Sequence, residues 1–248
     1  MADFDRPAII VQARLASTRV PLKMTREFTE RSEGLFALAL RKLRSSSVVP
    51  FENVYACVGD LELVRIARQE GANVLDRSAE SLQEPNTLQR VFEWHERIRH
   101  ERYVVVNACS PLLTLPTIDG FYLRFANTRV RGSLGVTTNQ TFVWGQDGRL
   151  LPAFFGTEEE KATLETKLIE QTFESANALY AGTVADIAAG IYMGEFKNPD
   201  DPTFVELPPE ECLDIDWPWQ FEMAKMTYRE IERRCGKEWW QKKLSDCF

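Results

Sequence analysis

Residues 8–23 read AIIVQARLASTRVPLK, an apolar, β-branched run that passes without any paired glycines into a loop carrying Arg14, Arg19 and Lys23. Pro7 to Gln12 has the pattern of a buried strand. The loop after it sets two hydroxyls, Ser17 and Thr18, between cations spaced five and four residues apart. Hydroxyls, backbone N–H groups and guanidinium forks at the end of a strand suit a polyphosphate. A solvated basic turn is the alternative. Pro21 stiffens the loop and lowers the entropy lost on fixing it around a ligand. No GxxxxGK[ST] is present, which excludes a P-loop NTPase.

Working outward, strand-like and helix-like stretches alternate. Gly34 to Leu43 is spaced as a helix, Asn53 to Val58 as a strand, and Leu61 to Glu70 as a helix closed by Gly71. Ala72 to Leu75 and Tyr103 to Ala108 read as strands, with a helix from Thr87 to Ile98 between them. Pro116 to Ala126 is a further helix with proline at its start, and Ser133 to Thr137 a further strand. Such alternation, with nearly continuous apolar strands, predicts an α/β fold: a mostly parallel sheet covered on both faces, with ligand at the carboxyl ends of the strands. Beyond residue 139 the pattern changes. Phe142 to Leu151 reads as a hairpin, Glu158 to Gln171 as a charged helix, Ala176 to Gly182 as a strand and Val184 to Gly190 as a short helix. Phe204 to Leu207 is a last strand and Gln220 to Arg234 the final helix. No linker or repeat divides residues 1–248, so they are expected to form one domain, with residues 140–175 as an insertion within it.

Composition narrows the partners. The 248 residues are 44% hydrophobic and 27% charged, with a net charge of −7. An acidic chain does not present a broad nucleic-acid footprint, so an anionic ligand needs a local cluster of cations. Five cysteines, an odd number with no CxxC, and only His95 and His100 as histidines leave few ligands for zinc. The cysteines are expected to be reduced and the protein cytoplasmic, without a secretory or membrane-spanning segment. Both histidines lie in a highly charged stretch that predicts a solvated face. The Trp239-Trp240 pair is expected to anchor the last helix.

Asp214 and Asp216 sit in CLDIDWPWQFEMA, one residue apart, so in extended chain both carboxylates share a face. Near a polyphosphate they suit Mg²⁺, which prefers hard oxygen ligands. Capping of the following helix by Asp216 is the competing explanation. Asn107 and Ser110 fall at the end of the most strand-like run, and Asp60 and Arg77 at two further strand-to-loop transitions.

These pieces resemble the cytidylyltransferases that make CMP-activated acidic sugars: the acylneuraminate (CMP-sialic acid) synthetases, the Kdo cytidylyltransferases and the spore-coat polysaccharide group. Ala13-Arg14-x-x-Ser17-x-Arg19-Val20-Pro21-x-Lys23 matches every fixed position of the family's first motif, A-R-x-x-S-x-R-[ILV]-P-x-K. Asp214-Ile-Asp216 matches its D-x-D before the last helix, and its N-G-A-[IV]-Y strand appears as Ala176-Asn177-Ala178-Leu179-Tyr180. Asn107-Ala-Cys-Ser110-Pro111-Leu-Leu113 stands where the family has Q-P-T-S-P-L-R. The resemblance implies a three-layer Rossmann-like sheet of the nucleotide-diphospho-sugar transferase type, with residues 140–175 as a small dimerisation insertion and a homodimer as the assembly. It implies CTP and an acidic 2-keto sugar as substrates and Mg²⁺, on Asp214 and Asp216, as cofactor. Arg14, Lys23 and Asp216 would carry catalysis, and Ala13, Arg14, Ser17, Arg19, Lys23, Arg77 and Ser110 would hold the nucleotide. Asn107, Lys167 and Tyr180 would meet the sugar, Lys167 lying beside the place of the family's carboxylate-gripping arginine, which is Thr166 here. Leu22 replaces the usual glycine of P-G-K.

Overall fold

The run expected to be a buried strand is β1, Ala8–Gln12, an interior strand of a seven-stranded sheet. The computed structural model describes residues 6–83, 85–163, 165–198 and 200–248. The other strands are β2 Val54–Val58, β3 Asn73–Asp76, β4 Arg102–Val106, β5 Ser133–Asn139, β6 Thr172–Thr183 and β7 Thr203–Glu206. Their order is β3-β2-β1-β4-β6-β5-β7. β1 pairs in parallel with β2 on one side and β4 on the other, and β3 continues the parallel set. β6 runs antiparallel to both β4 and β5, while β7 is parallel to β5. The chain thus fills one side of β1 and then returns on the other. At such a switch point the connections diverge and leave a crevice over the carboxyl ends of β1 and β4.

Alternation along β1 explains why both faces are covered. Ile9 and Val11 join Val104 and Val106 under α1 (Leu35–Arg44), α2 (Leu61–Glu70), α4 (Leu115–Ala126) and α7 (Pro218–Cys235). Ala8 and Ile10 join Tyr103 and Val105 against Trp94, Ile98 and Ile187, the last on α6, Val184–Ala188. The result is the three-layer α/β sheet that the alternation predicts. Trp239 and Trp240 are buried, as expected of an anchor for the final helix. Among the described residues no helix is long and apolar enough to cross a membrane.

Three expectations need correction. The helix expected from Thr87 to Ile98 is only α3, Leu88–Val91, followed by a 3-10 turn at Glu93–Glu96. Phe92 stacks on Tyr192 at 4.9 Å while Trp94 is buried. Residues two apart do not face the same way on an α-helix, so seating both rings breaks it. The charged helix of Glu158 to Gln171 shrinks to α5, Glu158–Lys161, behind a Thr157 capping box. Without an apolar face, one capped turn does not propagate. Ile169 instead turns inward, buried, and bridges to Phe154; Leu164 of that stretch lies outside the described residues. His100 is buried, not solvated: its Nδ1 lies 2.8 Å from the Arg6 carbonyl and its Nε2 3.2 Å from the Tyr55 hydroxyl.

The stretch at residues 142–151 is a hairpin, closed by a Trp144–Leu150 bridge. Phe142 stacks on Trp144 at 5.7 Å and sits 6.0 Å from Phe154, leaving Trp144, Leu151 and Phe155 exposed.

Candidate functional site

A cavity of about 270 Å³ opens at the carboxyl ends of β1 and β4. Seven residues expected at the site line it: Ala13, Arg14, Ser17, Arg19, Lys23, Arg77 and Asn107. The loop after β1 is tied down along its length. The Leu15 amide donates to Asp60 Oδ2 at 2.9 Å, Arg14 Nη1 to the Leu82 carbonyl at 3.1 Å, and Lys23 Nζ to the Ile215 carbonyl at 2.5 Å. Within it, the Val20 amide donates to Ser17 Oγ at 3.3 Å.

Leu22 adopts φ +55, the left-handed region where glycine is at ease and a leucine is strained. Its carbonyl accepts from the amides of Thr25, at 3.0 Å, and Arg26, at 2.8 Å, so the surrounding turn holds it there. The loop keeps a glycine-type turn with a leucine in it.

The D-x-D segment comes to this loop across nearly the whole chain. Arg19 Nη2 lies 2.7 Å from Asp216 Oδ1, between residues 197 apart in sequence, and Lys23 Nζ is 3.9 Å from the same oxygen. The capping explanation for Asp216 falls, because the N-cap position of α7 is Trp217 and the Asp216 carboxylate accepts from Arg19, while Gln220 Oε1 accepts from the amides of both Asp216 and Trp217 at 2.8 Å. Asp216 is therefore free to face the loop. The Ile215 amide donates to the Cys109 carbonyl at 3.0 Å, which fixes the pair of carboxylates beside the end of β4. Burial and the negative charge of Asp216 push the Asp214 carboxyl up to about 6, against the pull of Lys23 and Arg19. Two hard-oxygen carboxylates with too little positive charge between them form a set that a divalent cation fits. Asp214 and Asp216 would hold it. Among the described residues no cluster of three or more His, Cys, Asp or Glu is placed for a metal, so the remaining ligands would be phosphate oxygens and water.

Asn107 ends β4 as a polar joint. Its Nδ2 donates to the Asn177 carbonyl at 2.6 Å and reaches Asp214 Oδ1 at 3.5 Å, while its Oδ1 accepts from the Cys109 amide at 2.9 Å. Asn177, itself at φ +51, gathers Ser175 Oγ at 3.0 Å and the Tyr180 hydroxyl at 3.1 Å on its Oδ1. Burial, then the charge of Asp214, keeps that hydroxyl protonated. Arg77 is buried in the cavity wall, with Nε 2.9 Å from Ser81 Oγ and Nη2 2.5 Å from the Ser81 carbonyl. Burial lowers its pKa.

Five of the expected residues stand off the cavity lining. Asp214, Asp216 and Tyr180 reach it through the contacts above. Ser110 is turned away: it is buried beside Lys42, where its Oγ has no hydrogen-bond partner among the described residues. The cause is the turn after β4, in which the Ser110 amide closes on the Asn107 carbonyl at 3.2 Å. Lys167 is also outside the lining, in a 3-10 turn at Thr166–Leu168, with its exposed ammonium paired to Glu165. Three lining residues with polar uncharged side chains escaped sequence reasoning: Gln12, Ser81 and Gln83. Gln12 had a signal, as the one polar residue closing an apolar strand; its Oε1 accepts from Trp94 Nε1 at 3.2 Å. Ser81 and Gln83, on the loop past Arg77, carried none.

The fold and cleft define an α/β chain with a crevice lined by Arg14, Arg19, Lys23 and Arg77 at the sheet's switch point. No family model and no curated protein matches the sequence. Solved structures do match its fold. A CMP-2-keto-3-deoxy-manno-octonic acid synthetase complexed with CTP aligns over 90% of this chain and 98% of its own, with a TM-score of 0.59 at 11% identity. A cytidylyltransferase from Leptospira borgpetersenii aligns over 96% and 98%, with a TM-score of 0.57 at 17% identity. A 4-diphosphocytidyl-2C-methyl-D-erythritol synthase from Anaerococcus prevotii aligns over 91% and 99%, with a TM-score of 0.54 at 12% identity. The fold of this chain is therefore the one these cytidylyltransferases share.

Proposed function

We propose that the chain is a Mg²⁺-dependent cytidylyltransferase that moves CMP from CTP to a hydroxyl of a sugar-like acceptor and releases pyrophosphate. The single observation that carries this is the meeting of Arg19 and Lys23 with Asp216 at the end of β1, phosphate-binding cations against metal-binding carboxylates. A binding or scaffold protein has no need to bring both sets together. The shared fold of three cytidylyltransferases, one of them complexed with CTP, supports the choice of nucleotide.

The cleft would act by position and charge. Arg14, Arg19 and Lys23 would bind the triphosphate along the loop, with Ser17 and the backbone amides beside it. The acceptor hydroxyl would attack the α-phosphorus in line, breaking the bond to the β-phosphate oxygen. Arg14 and Lys23 would offset the charge gathering on the departing pyrophosphate. Mg²⁺ held by Asp214 and Asp216 supplies further charge neutralisation and orients phosphate oxygens when bound. Arg77 would border the nucleotide.

Asn107, Ser175, Asn177 and Tyr180 offer amides and hydroxyls to acceptor hydroxyls. The sequence resemblance points to the anomeric hydroxyl of an acidic 2-keto sugar, whose carboxylate calls for a cation. Lys167 is the residue offered for it, and it is paired with Glu165 away from the cleft, so neutral sugars belong in the same test. Exposed Trp144, Leu151 and Phe155, within residues 140–175, suit the homodimer that the resemblance also implies.

The test is pyrophosphate release with each NTP against a panel of 2-keto acid sugars, neutral sugars and polyols. CTP should be the productive nucleotide, and Asp216→Ala should abolish turnover while leaving the circular dichroism spectrum unchanged. Equal turnover in that variant, or no thermal shift with any NTP and Mg²⁺, would sink the assignment.

A further inference from the structure

The loop that should hold phosphate is already holding a carboxylate. Arg19 Nη2 is 2.7 Å from Asp216 Oδ1, and Lys23 Nζ, 3.9 Å from that same oxygen, also bonds the Ile215 carbonyl at 2.5 Å. The Arg19 guanidinium lies over the neighbouring ring of Trp217, 5.6 Å from its centroid. One carboxylate oxygen thus carries two cations that a polyphosphate would claim, and a stacked indole helps to keep one of them in place.

We propose that Arg19 makes the cleft selective for a divalent cation and a triphosphate loaded together, by occupying Asp216 until phosphate draws it away. The proposal rests on the nucleotidyl-transfer reading above. A cation arriving alone meets two positive charges already seated on its ligand. A polyphosphate arriving alone meets cations already neutralised. Arriving as a complex, the two exchange partners at once: phosphate takes Arg19 and Lys23, and the cation takes Asp216 with Asp214. By linkage, each raises the other's affinity by the same factor.

The size of the effect follows from exposure. The Arg19 and Asp216 side chains are 49% and 36% exposed, so solvent screens their pair. Releasing an exposed pair of this kind changes an affinity by about two- to fivefold. Arg19 is thereby a filter against partial loading, not an absolute lock.

Calorimetric titration of the whole chain with Mg²⁺ alone separates this from a general charge effect. Arg19→Gln should tighten Mg²⁺ binding about two- to fivefold beyond Arg14→Gln, which removes the same charge from the same cavity but from a side chain bonded to the Leu82 carbonyl. Equal tightening in the two variants overturns the proposal. A second readout uses inorganic tripolyphosphate without metal. It should change the tryptophan emission of the wild type as Arg19 leaves Trp217, and that change should vanish in Trp217→Phe and in Arg19→Gln. Binding of tripolyphosphate with unchanged emission overturns the proposal while leaving the nucleotide site standing. If neither Mg²⁺, tripolyphosphate nor CTP with Mg²⁺ binds, the nucleotidyl-transfer reading falls and the proposal with it.

Discussion

Lys42 and Glu211 hold one loop from two distant parts of the chain. Lys42 Nζ donates to the carbonyls of Pro111 and Leu113 at 2.6 and 2.7 Å, and Glu211 accepts from the Thr114 amide at 2.8 Å and its hydroxyl at 3.0 Å. Both side chains are almost fully buried. The loop they clamp leads out of β4 after Asn107, and Glu211 itself precedes Asp214, so these two buried side chains stand behind the candidate metal ligands.

Removing either member leaves the other charge buried and uncompensated. Lys42→Met and Glu211→Gln are each expected to lose about 3–5 kcal/mol of stability in urea unfolding. The double variant should lose less than the sum, because the members interact. Strict additivity would show that the two act independently.

The same lysine predicts a pH dependence. Burial drives the Lys42 ammonium down to about 7, with Glu211 opposing. An unfolded lysine titrates near 10.4. Between the two values the unfolded chain binds the extra proton, so stability rises with pH from about 7 upward. Buried Cys57 and Tyr103 are pushed the other way, which costs stability once their unfolded counterparts ionise above about 8.5. The rise should therefore show between pH 7 and 8.5 and be absent in Lys42→Met.

Leu22 can be relieved. Leu22→Gly removes a left-handed leucine that is 53% exposed and has little packing to lose. The strain recovered, about 1–2 kcal/mol, is offset by about 0.5–1 kcal/mol of added unfolded-state freedom. A melting temperature equal to or slightly above that of wild type is expected. Leu22→Val, branched at Cβ, should be destabilising.

Asn107→Ala takes away the contacts to the Asn177 carbonyl, Asp214 and the Cys109 amide together. Turnover should fall at least tenfold, since a small displacement of positioning groups is costly. Asn107→Asp should be worse, because it sets a third carboxylate beside Asp214 and Asp216. Steady-state kinetics with CTP checks both.

Much of the fold was legible because strand runs of one period and helix runs of another announce themselves locally. Ala8–Gln12, Leu61–Glu70 and Pro218–Cys235 are of that kind. The loop cations and the D-x-D were legible as residue types in a known order. What the sequence could not show was direction. Ser110 follows Asn107 by three residues, yet a single turn buries it under α1 instead of facing it to the cleft. Lys167 lies beside the family's arginine position in sequence order alone, and the chain there is a 3-10 turn instead of a continuing helix, so order carries no direction. Lys42 falls in the last turn of α1, where the sequence shows only a cation near a helix end. Only the fold shows the carbonyls that receive it.

The leucine at φ +55 has a consequence for how this kind of loop is inherited. A backbone turn secured by its neighbours' amides can outlast the residue best suited to make it. A leucine can then stand where a glycine would sit more easily, and the curve persists at a small and tolerable expense in stability.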